Sequence, residues 1–149
     1  MLFWYIRFAL EWTIWLIFAD KKRWRELLPV SFMAGLLGTT TDLITFYHPL
    51  WQYDGDISPI PRLLNTWGIY VVITYLFIQW LPSKRTFWRM FVYWFLWTGA
   101  TIIFEWMHGY MGHMTYPLWW RMYHSYIADW ILFTVFYQYY NIFKFERLR

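Results

Sequence analysis

Residues 98–113 read TGATIIFEWMHGYMGH, an apolar run that polar side chains interrupt at regular intervals. Thr98, Thr101, Glu105 and His108 stand at positions i, i+3, i+7 and i+10, and this spacing places them on one stripe of a helix. The other faces carry aromatic, aliphatic or small residues. A carboxylate on so apolar a segment is either paired or functional, so Glu105 is the first candidate for a functional residue.

The composition of the whole chain indicates a membrane protein. Hydrophobic residues occupy 60% of the 149 positions and aromatic residues 28%, including 14 Trp, 13 Tyr and 14 Phe. A soluble domain of this length has too little core to bury so many rings, whereas a bilayer accepts them at lipid-facing and interfacial positions. Cysteine is absent, which excludes disulfides and thiolate metal sites.

Five hydrophobic segments predict an all-α, five-helix integral membrane bundle in a single domain, residues 1–149. The predicted spans are 2–19, 29–47, 63–81, 87–107 and 126–143. Each is about long enough to cross a hydrocarbon core of roughly 30 Å. Pro29 is predicted to stand in the first turn of the second helix, where proline is tolerated. Small residues recur four positions apart in this helix, as at Ala34 and Gly38, which predicts the close approach of another helix.

The distribution of basic residues predicts the orientation of the bundle. Alternate loops and the C-terminal tail carry ten Lys and Arg residues: Lys21, Lys22, Arg23, Arg25, Lys84, Arg85, Arg89, Lys144, Arg147 and Arg149. The opposite loops carry only Arg62 and Arg121. Short basic loops stay in the cytoplasm, so the N-terminus is predicted outside and the C-terminus inside.

The basic stretches also bear on the partners of the chain. They are too short and too scattered to bind nucleic acid, and they are instead typical of segments that set topology and contact anionic lipid. The expected partner is therefore the lipid bilayer, with a second copy of the chain or another membrane protein as further candidates.

Three segments resemble one known family. They are RELLPVSFMAGLLGTTTDL at 25–43, LWQYDGDISPIPRLLNTWGIYVVITYLFIQWLP at 50–82, and FEW at 104–106 together with YPLWWRMYHSY at 116–126. These segments are similar to an uncharacterised family of small multi-pass membrane proteins from endospore-forming Gram-positive bacteria. The resemblance implies a helical protein of the cytoplasmic membrane and includes Asp42 and Glu105 among the matching positions. It implies no particular activity, cofactor or partner.

Four carboxylates fall within the predicted spans, at Glu11, Asp42, Glu105 and Asp129. Counted along their helices, all four lie at mid-membrane or in the outer half of the bilayer. With Arg7, which stands one helical turn before Glu11, they predict a polar pocket that opens to the outside. The Arg7–Glu11 pair is predicted to point into the bundle near Asp42. The alternative is that Arg7 extends to the outer headgroups while Glu11 is protonated.

Two classes of function remain compatible with this pocket. The first is a structural or ligand-binding membrane protein whose pocket holds a small cation or a lipid headgroup. The second is a small intramembrane enzyme that uses His and carboxylate groups for metal-assisted or general acid–base chemistry at the outer interface. The sequence has no zinc-hydrolase HExxH motif, no nucleophile elbow and no phosphate-binding loop.

A divalent metal is the cofactor that the polar stripe suggests. Glu105 and His108 are three positions apart on a helix, a spacing at which both side chains can reach one metal ion. A mononuclear site would need a further ligand from His113, His124 or Asp129. Imidazole with carboxylate suits zinc, iron or manganese. In the alternative interpretation the histidine is an interfacial anchor and the glutamate hydrogen-bonds a tyrosine or an arginine.

Overall fold

The computed structural model of the protein describes residues 2–54 and 59–149. The middle of the loop predicted at 48–62, residues 55–58, lies outside the described residues. Five helices are present: α1 (Leu2–Phe18), α2 (Trp24–Tyr47), α3 (60–79), α4 (Phe87–Tyr110) and α5 (Met122–Ile142). Short 3-10 turns cover Lys21–Arg23 and Phe145–Leu148. The all-α prediction is confirmed, and each predicted span corresponds to a helix.

The second helix begins earlier than predicted. It starts at Trp24, so Pro29 lies inside the helix and the prediction that Pro29 occupies its first turn is wrong. The additional turn is held by Glu26, which is almost fully buried and accepts hydrogen bonds from Arg23 and from Tyr140 of α5. A charged side chain that is paired in this way stabilises helix residues that sequence alone assigns to a polar loop.

Helix α3 lies at the centre of the bundle and contacts α1, α2 and α5. Its second half, Val71–Gln79, is apolar on all sides, and nearly all of its side chains are buried. A helix that is hydrophobic all round is stable when other helices surround it. Phe77 illustrates this position, because its ring packs against Phe133 of α5 with a centroid distance of 4.6 Å and its carbonyl accepts a hydrogen bond from Tyr93 of α4.

The small residues of α2 allow α3 to approach closely, as predicted. A Cβ atom built on Gly38 would lie 2.6 Å from Cγ2 of Thr66, and one built on Gly35 would lie 3.1 Å from Cγ2 of Val71. Both glycines are buried. The two helix backbones are therefore held at a separation that no larger residue at Gly38 allows without a shift of Thr66.

Helix α3 contains one turn of π-helix, Thr66–Tyr70, between the α-helical segments Ile60–Asn65 and Val71–Gln79. Within this turn Thr66 faces α2, where its hydroxyl hydrogen-bonds the carboxylate of Asp42. Gly68 faces α1, where a Cβ atom would overlap the carboxylate of Glu11. The π turn therefore presents two positions of α3, only two residues apart, to polar groups on two different helices. Turns of this kind are frequent at functional sites.

The connections between helices gather at two ends of the bundle. At one end, which we call the bridge end, strands β1 (Gln52–Tyr53) and β2 (Met114–Thr115) pair antiparallel, with Tyr53 opposite Met114. The opposite end, which we call the basic end, holds the turn Lys21–Arg23, the 80–86 connection and the turn Phe145–Leu148. The loops predicted to share a side of the membrane thus share an end of the molecule.

Large apolar side chains are exposed on every helix. Examples are Leu10 on α1, Leu36 on α2, Leu63 on α3, Leu96 on α4 and Ile131 on α5. Two helical segments, Lys21–Tyr47 and Phe87–Tyr110, are long and apolar enough to span a membrane. Contiguous apolar patches larger than a few hundred Å² are rare on monomeric soluble proteins.

Candidate functional site

A polar cavity of about 80 Å³ lies inside the bundle toward the bridge end. Its polar lining includes Arg7 of α1, Thr101, Glu105 and His108 of α4, and Asp129 of α5. The predicted pocket residues Arg7, Glu105 and Asp129 are therefore brought together. The cavity has room for a few water molecules or one small ion with water.

Two hydroxyl–carboxylate pairs join α4 to α5 at this cavity. The hydroxyl of Thr101 donates a hydrogen bond of 2.6 Å to Oδ2 of Asp129. One turn along each helix the order of the two groups is reversed, because Ser125 of α5 lies near the carboxylate of Glu105 on α4. Each helix thus contributes one carboxylate and one hydroxyl, four positions apart, and the antiparallel packing sets them opposite each other.

The carboxylate of Glu105 has further support from the loop between α4 and α5. The phenol of Tyr116 donates a hydrogen bond to it, and Ser125 in turn accepts a hydrogen bond of 2.9 Å from Nε1 of Trp120. Burial and the hydrogen bond to Glu105 raise the pKa of Tyr116, so its phenol stays protonated and remains a donor. These contacts agree with the interpretation that Glu105 hydrogen-bonds a tyrosine.

Arg7 and Glu11 form the predicted ion pair on α1, with 2.7 Å between Nε and Oε1. Both side chains point into the bundle, with relative exposures of 11% and 13%, so the alternative in which Arg7 extends to the headgroups is excluded. Two atoms of the pair, Nη1 of Arg7 and Oε2 of Glu11, are buried without a hydrogen-bond partner among the described residues. The ion pair is therefore buried with one donor and one acceptor left unsatisfied.

Asp42, which was expected in the same pocket, lies outside the lining of the cavity. Its carboxylate is engaged by Thr66 and its main-chain carbonyl accepts a hydrogen bond of 3.2 Å from Arg62. The same arginine donates a hydrogen bond of 2.7 Å to Thr45. Asp42 therefore helps to attach the first half of α3 to α2. The residues of α3 that line the cavity include Asn65, which donates a hydrogen bond to the hydroxyl of Tyr53.

His108 is buried in the cavity wall, with 7% of its surface exposed. Its ring packs near Phe3 and Trp4 of α1, at centroid distances of 5.8 and 6.0 Å. Among the described residues no side chain hydrogen-bonds its nitrogens. His108 thus has bonding capacity left for the contents of the cavity that it lines.

The other predicted metal ligands are placed apart. His113 lies in the loop after α4 and makes a 2.8 Å contact with Oδ2 of Asp54, while Nδ1 of His124 accepts a hydrogen bond from the backbone of Arg121 at the start of α5. No group of three or more His, Asp and Glu side chains in residues 2–54 and 59–149 is arranged to hold a metal ion. The Glu105, His108, His113 and His124 set is therefore not assembled by the fold.

Sequence reasoning did not identify Asp54 as a functional or structural residue. Its carboxylate contacts His113 and also accepts a hydrogen bond of 2.9 Å from Nε1 of Trp4 at the start of α1. These partners are 59 and 50 positions away in the chain. No local spacing connects residues so far apart, and only the acidic composition of the loop hinted at a role.

The chain was also compared with known proteins. No family model matches it, and no curated protein or solved structure matches it either. The function is accordingly inferred from the geometry of the cavity and its surroundings.

Proposed function

We propose that this protein is an integral protein of the cytoplasmic membrane that binds a small cation in the polar cavity between its helices. All five helices would cross the bilayer, with the N-terminus outside and the C-terminus in the cytoplasm. Two observations support this placement. Apolar side chains are exposed on every helix, and the basic loops share one end of the bundle, as the positive-inside rule requires of the cytoplasmic end.

The observation that carries the proposed ligand is that Glu105 and Asp129 line one cavity together with Thr101, whose hydroxyl bonds Asp129. Arg7 is already paired with Glu11, so Glu105 and Asp129 are the acidic groups of the lining that are left to face a ligand. Carboxylate and hydroxyl oxygens are the ligands that hard cations prefer. A cation would offset the cost of holding two carboxylates in a hydrocarbon environment.

The size of the cavity distinguishes between the ligands that the sequence left open. Pockets for organic ligands typically measure about 300–1,000 Å³, whereas this cavity measures about 80 Å³. A lipid headgroup does not fit into that volume, and a substrate for acid–base chemistry beside His108 has little room. A small ion with one or two waters does fit.

The proposal is tested by the thermal stability of the purified, untagged protein in detergent micelles. Chloride salts of Na⁺, K⁺, Ca²⁺ and Mn²⁺ are compared with N-methyl-D-glucamine chloride at equal ionic strength. A ligand that binds only the folded state raises the unfolding midpoint by mass action, and we expect one of these cations to raise it by about 3 °C or more. Low pH should reduce the effect, because protons compete for the carboxylates.

Substitutions in the lining test whether the stabilisation by the cation arises in the cavity. Glu105→Gln and Asp129→Asn should each abolish the stabilisation by the cation, and Glu146→Gln, which changes an exposed carboxylate at the basic end, should leave it intact. If no cation stabilises the protein above the N-methyl-D-glucamine control at neutral pH, or if the cavity variants respond like the unmodified protein, the cavity does not bind a cation.

A further inference from the structure

A second cavity, of about 500 Å³, lies at the basic end of the bundle. Three arginines line it together with two glutamates and a tyrosine: Arg23, Arg85, Arg149, Glu26, Glu146 and Tyr140. It is formed where α2 begins, where α3 and α5 end, and where the 80–86 connection leads into α4. Its volume falls in the range of pockets that bind groups of the size of a lipid headgroup.

One ion pair in the lining of this cavity has its charges and hydrogen bonds satisfied without a ligand. Arg23 contacts both carboxylate oxygens of Glu26, at 2.7 Å through Nε and at 2.6 Å through Nη2. Tyr140 donates a third hydrogen bond to the same carboxylate. These three side chains satisfy one another's charge and hydrogen bonds. They therefore form part of the cavity wall and are not expected to bind a ligand.

Arg85 is held more loosely. The distance from its Nη2 to Oε2 of Glu146 is 3.7 Å, longer than a direct hydrogen bond, and Glu146 is more than half exposed. Nη1 donates to the side chain of Asn141 at 3.2 Å. A guanidinium carries five N–H donors, so Arg85 keeps donors for a further acceptor in the cavity.

Arg149 adds a third positive charge to the lining, and among the described residues it forms no ion pair. Seven more lysines and arginines stand at the same end: Lys21, Lys22, Arg25, Lys84, Arg89, Lys144 and Arg147. After Arg23 and Glu26 cancel each other, the cavity holds Arg85 and Arg149 against the exposed Glu146. The net potential in and around it is positive.

We propose that this cavity binds a phosphate group, and that the phosphate is carried by the headgroup of an anionic phospholipid. Planar guanidinium groups bind phosphate through two parallel hydrogen bonds, and basic pockets between helices on the cytoplasmic side of a membrane are suited to anionic headgroups. Choline headgroups are disfavoured, because their cation would lie beside the arginines. This inference rests on the membrane placement proposed above, which sets the basic end at the cytoplasmic headgroups, and not on the cation cavity.

The test is a lipid titration of the full-length protein in detergent, followed by native mass spectrometry. Phosphatidylglycerol is compared with phosphatidylcholine of the same acyl chains, and inorganic phosphate is added as a competitor. We expect the R85Q/R149Q double variant to lose about tenfold or more in affinity for phosphatidylglycerol, because it loses charge-assisted hydrogen bonds. The matched control is R89Q/R147Q, which removes two exposed arginines from the same end without changing the lining of the cavity.

A second variant keeps the test decisive if R85Q/R149Q folds poorly. Glu146→Gln removes the loosely paired carboxylate, so it should tighten the binding of phosphatidylglycerol, a gain that misfolding does not produce. Displacement of the lipid by millimolar phosphate would show that free phosphate shares the site. Equal losses in the two double variants, equal binding of phosphatidylcholine, or no gain in Glu146→Gln would overturn the proposal. The cation measurements do not depend on any of these results.

Discussion

Thr101 on α4 and Asp129 on α5 are 28 positions apart in the chain, yet the hydroxyl of one donates a hydrogen bond of 2.6 Å to the carboxylate of the other. This bond is a polar link between two helices that also pack through aromatic rings, such as those of Phe91 and Trp130. Both of its residues line the polar cavity.

Thr101→Val should destabilise the folded protein, since it removes the hydroxyl while keeping the shape of the side chain. Interhelical hydrogen bonds in membranes contribute modestly, so we expect a loss of about 1 kcal/mol, measured by unfolding in mixed micelles. The matched control is Thr134→Val on α5, where the exposed threonine bonds only to the carbonyl of Trp130 in its own helix. Equal losses in the two variants would argue against a special role for the Thr101–Asp129 bond.

Gly38→Ala should destabilise the protein by about 1–3 kcal/mol, because the new methyl group meets Cγ2 of Thr66 in a contact that cannot relax freely. Gly99→Ala on α4 is the control, since a Cβ atom there has no neighbour within 4 Å. That variant should be neutral or should gain up to about 1 kcal/mol from helix propensity. Combining Gly38→Ala with Thr66→Ser, which removes the clashing methyl, should recover part of the loss. Thermal unfolding of these three variants and the unmodified protein checks the prediction.

Arg7→Ala should lower the unfolding midpoint, because it leaves Glu11 without its charge partner inside the bundle. Adding Glu11→Ala should recover part of the stability. A double variant that is more stable than Arg7→Ala alone is the result expected of a buried ion pair. Arg25→Ala, which removes an exposed arginine at the basic end, serves as a control for the change in net charge. A silent Arg7→Ala would show that the pair contributes nothing to the fold.

The absence of cysteine makes the membrane orientation directly testable. A single cysteine at Thr115, an exposed residue of the bridge end, should react with an impermeant thiol reagent in intact cells. A cysteine at Ser83 in the basic end should react only after the cells are opened. The opposite pattern would place the basic end outside and would remove the basis for the phospholipid proposal.

The features that could be predicted from the sequence are those set by spacing along one helix. The Arg7–Glu11 pair was predictable because the two residues are four positions apart, and the close approach at Gly38 was predictable from the repeat of small residues. The cavity residues Glu105 and Asp129 could be singled out because a carboxylate in an apolar segment needs a partner.

The remaining features depend on contacts between distant segments. The contacts of Asp54 with Trp4 and His113 join residues at least 50 positions apart, and no regular spacing in the sequence predicts them. The central position of α3 and its π turn follow from neighbours on two other helices, Asp42 and Glu11, which meet Thr66 and Gly68 only after the bundle has formed. The additional first turn of α2 likewise depends on Tyr140, which is 114 positions from Glu26.

The two-residue strand pair has a mechanical consequence for the cavity. The α4–α5 hairpin is joined to the rest of the protein covalently through the 80–86 connection at the basic end, and the pairing of Tyr53 with Met114 holds its other end. A motion of α4 that separates Glu105 from Arg7, and so widens the cavity, would therefore act against contacts at both ends of the hairpin.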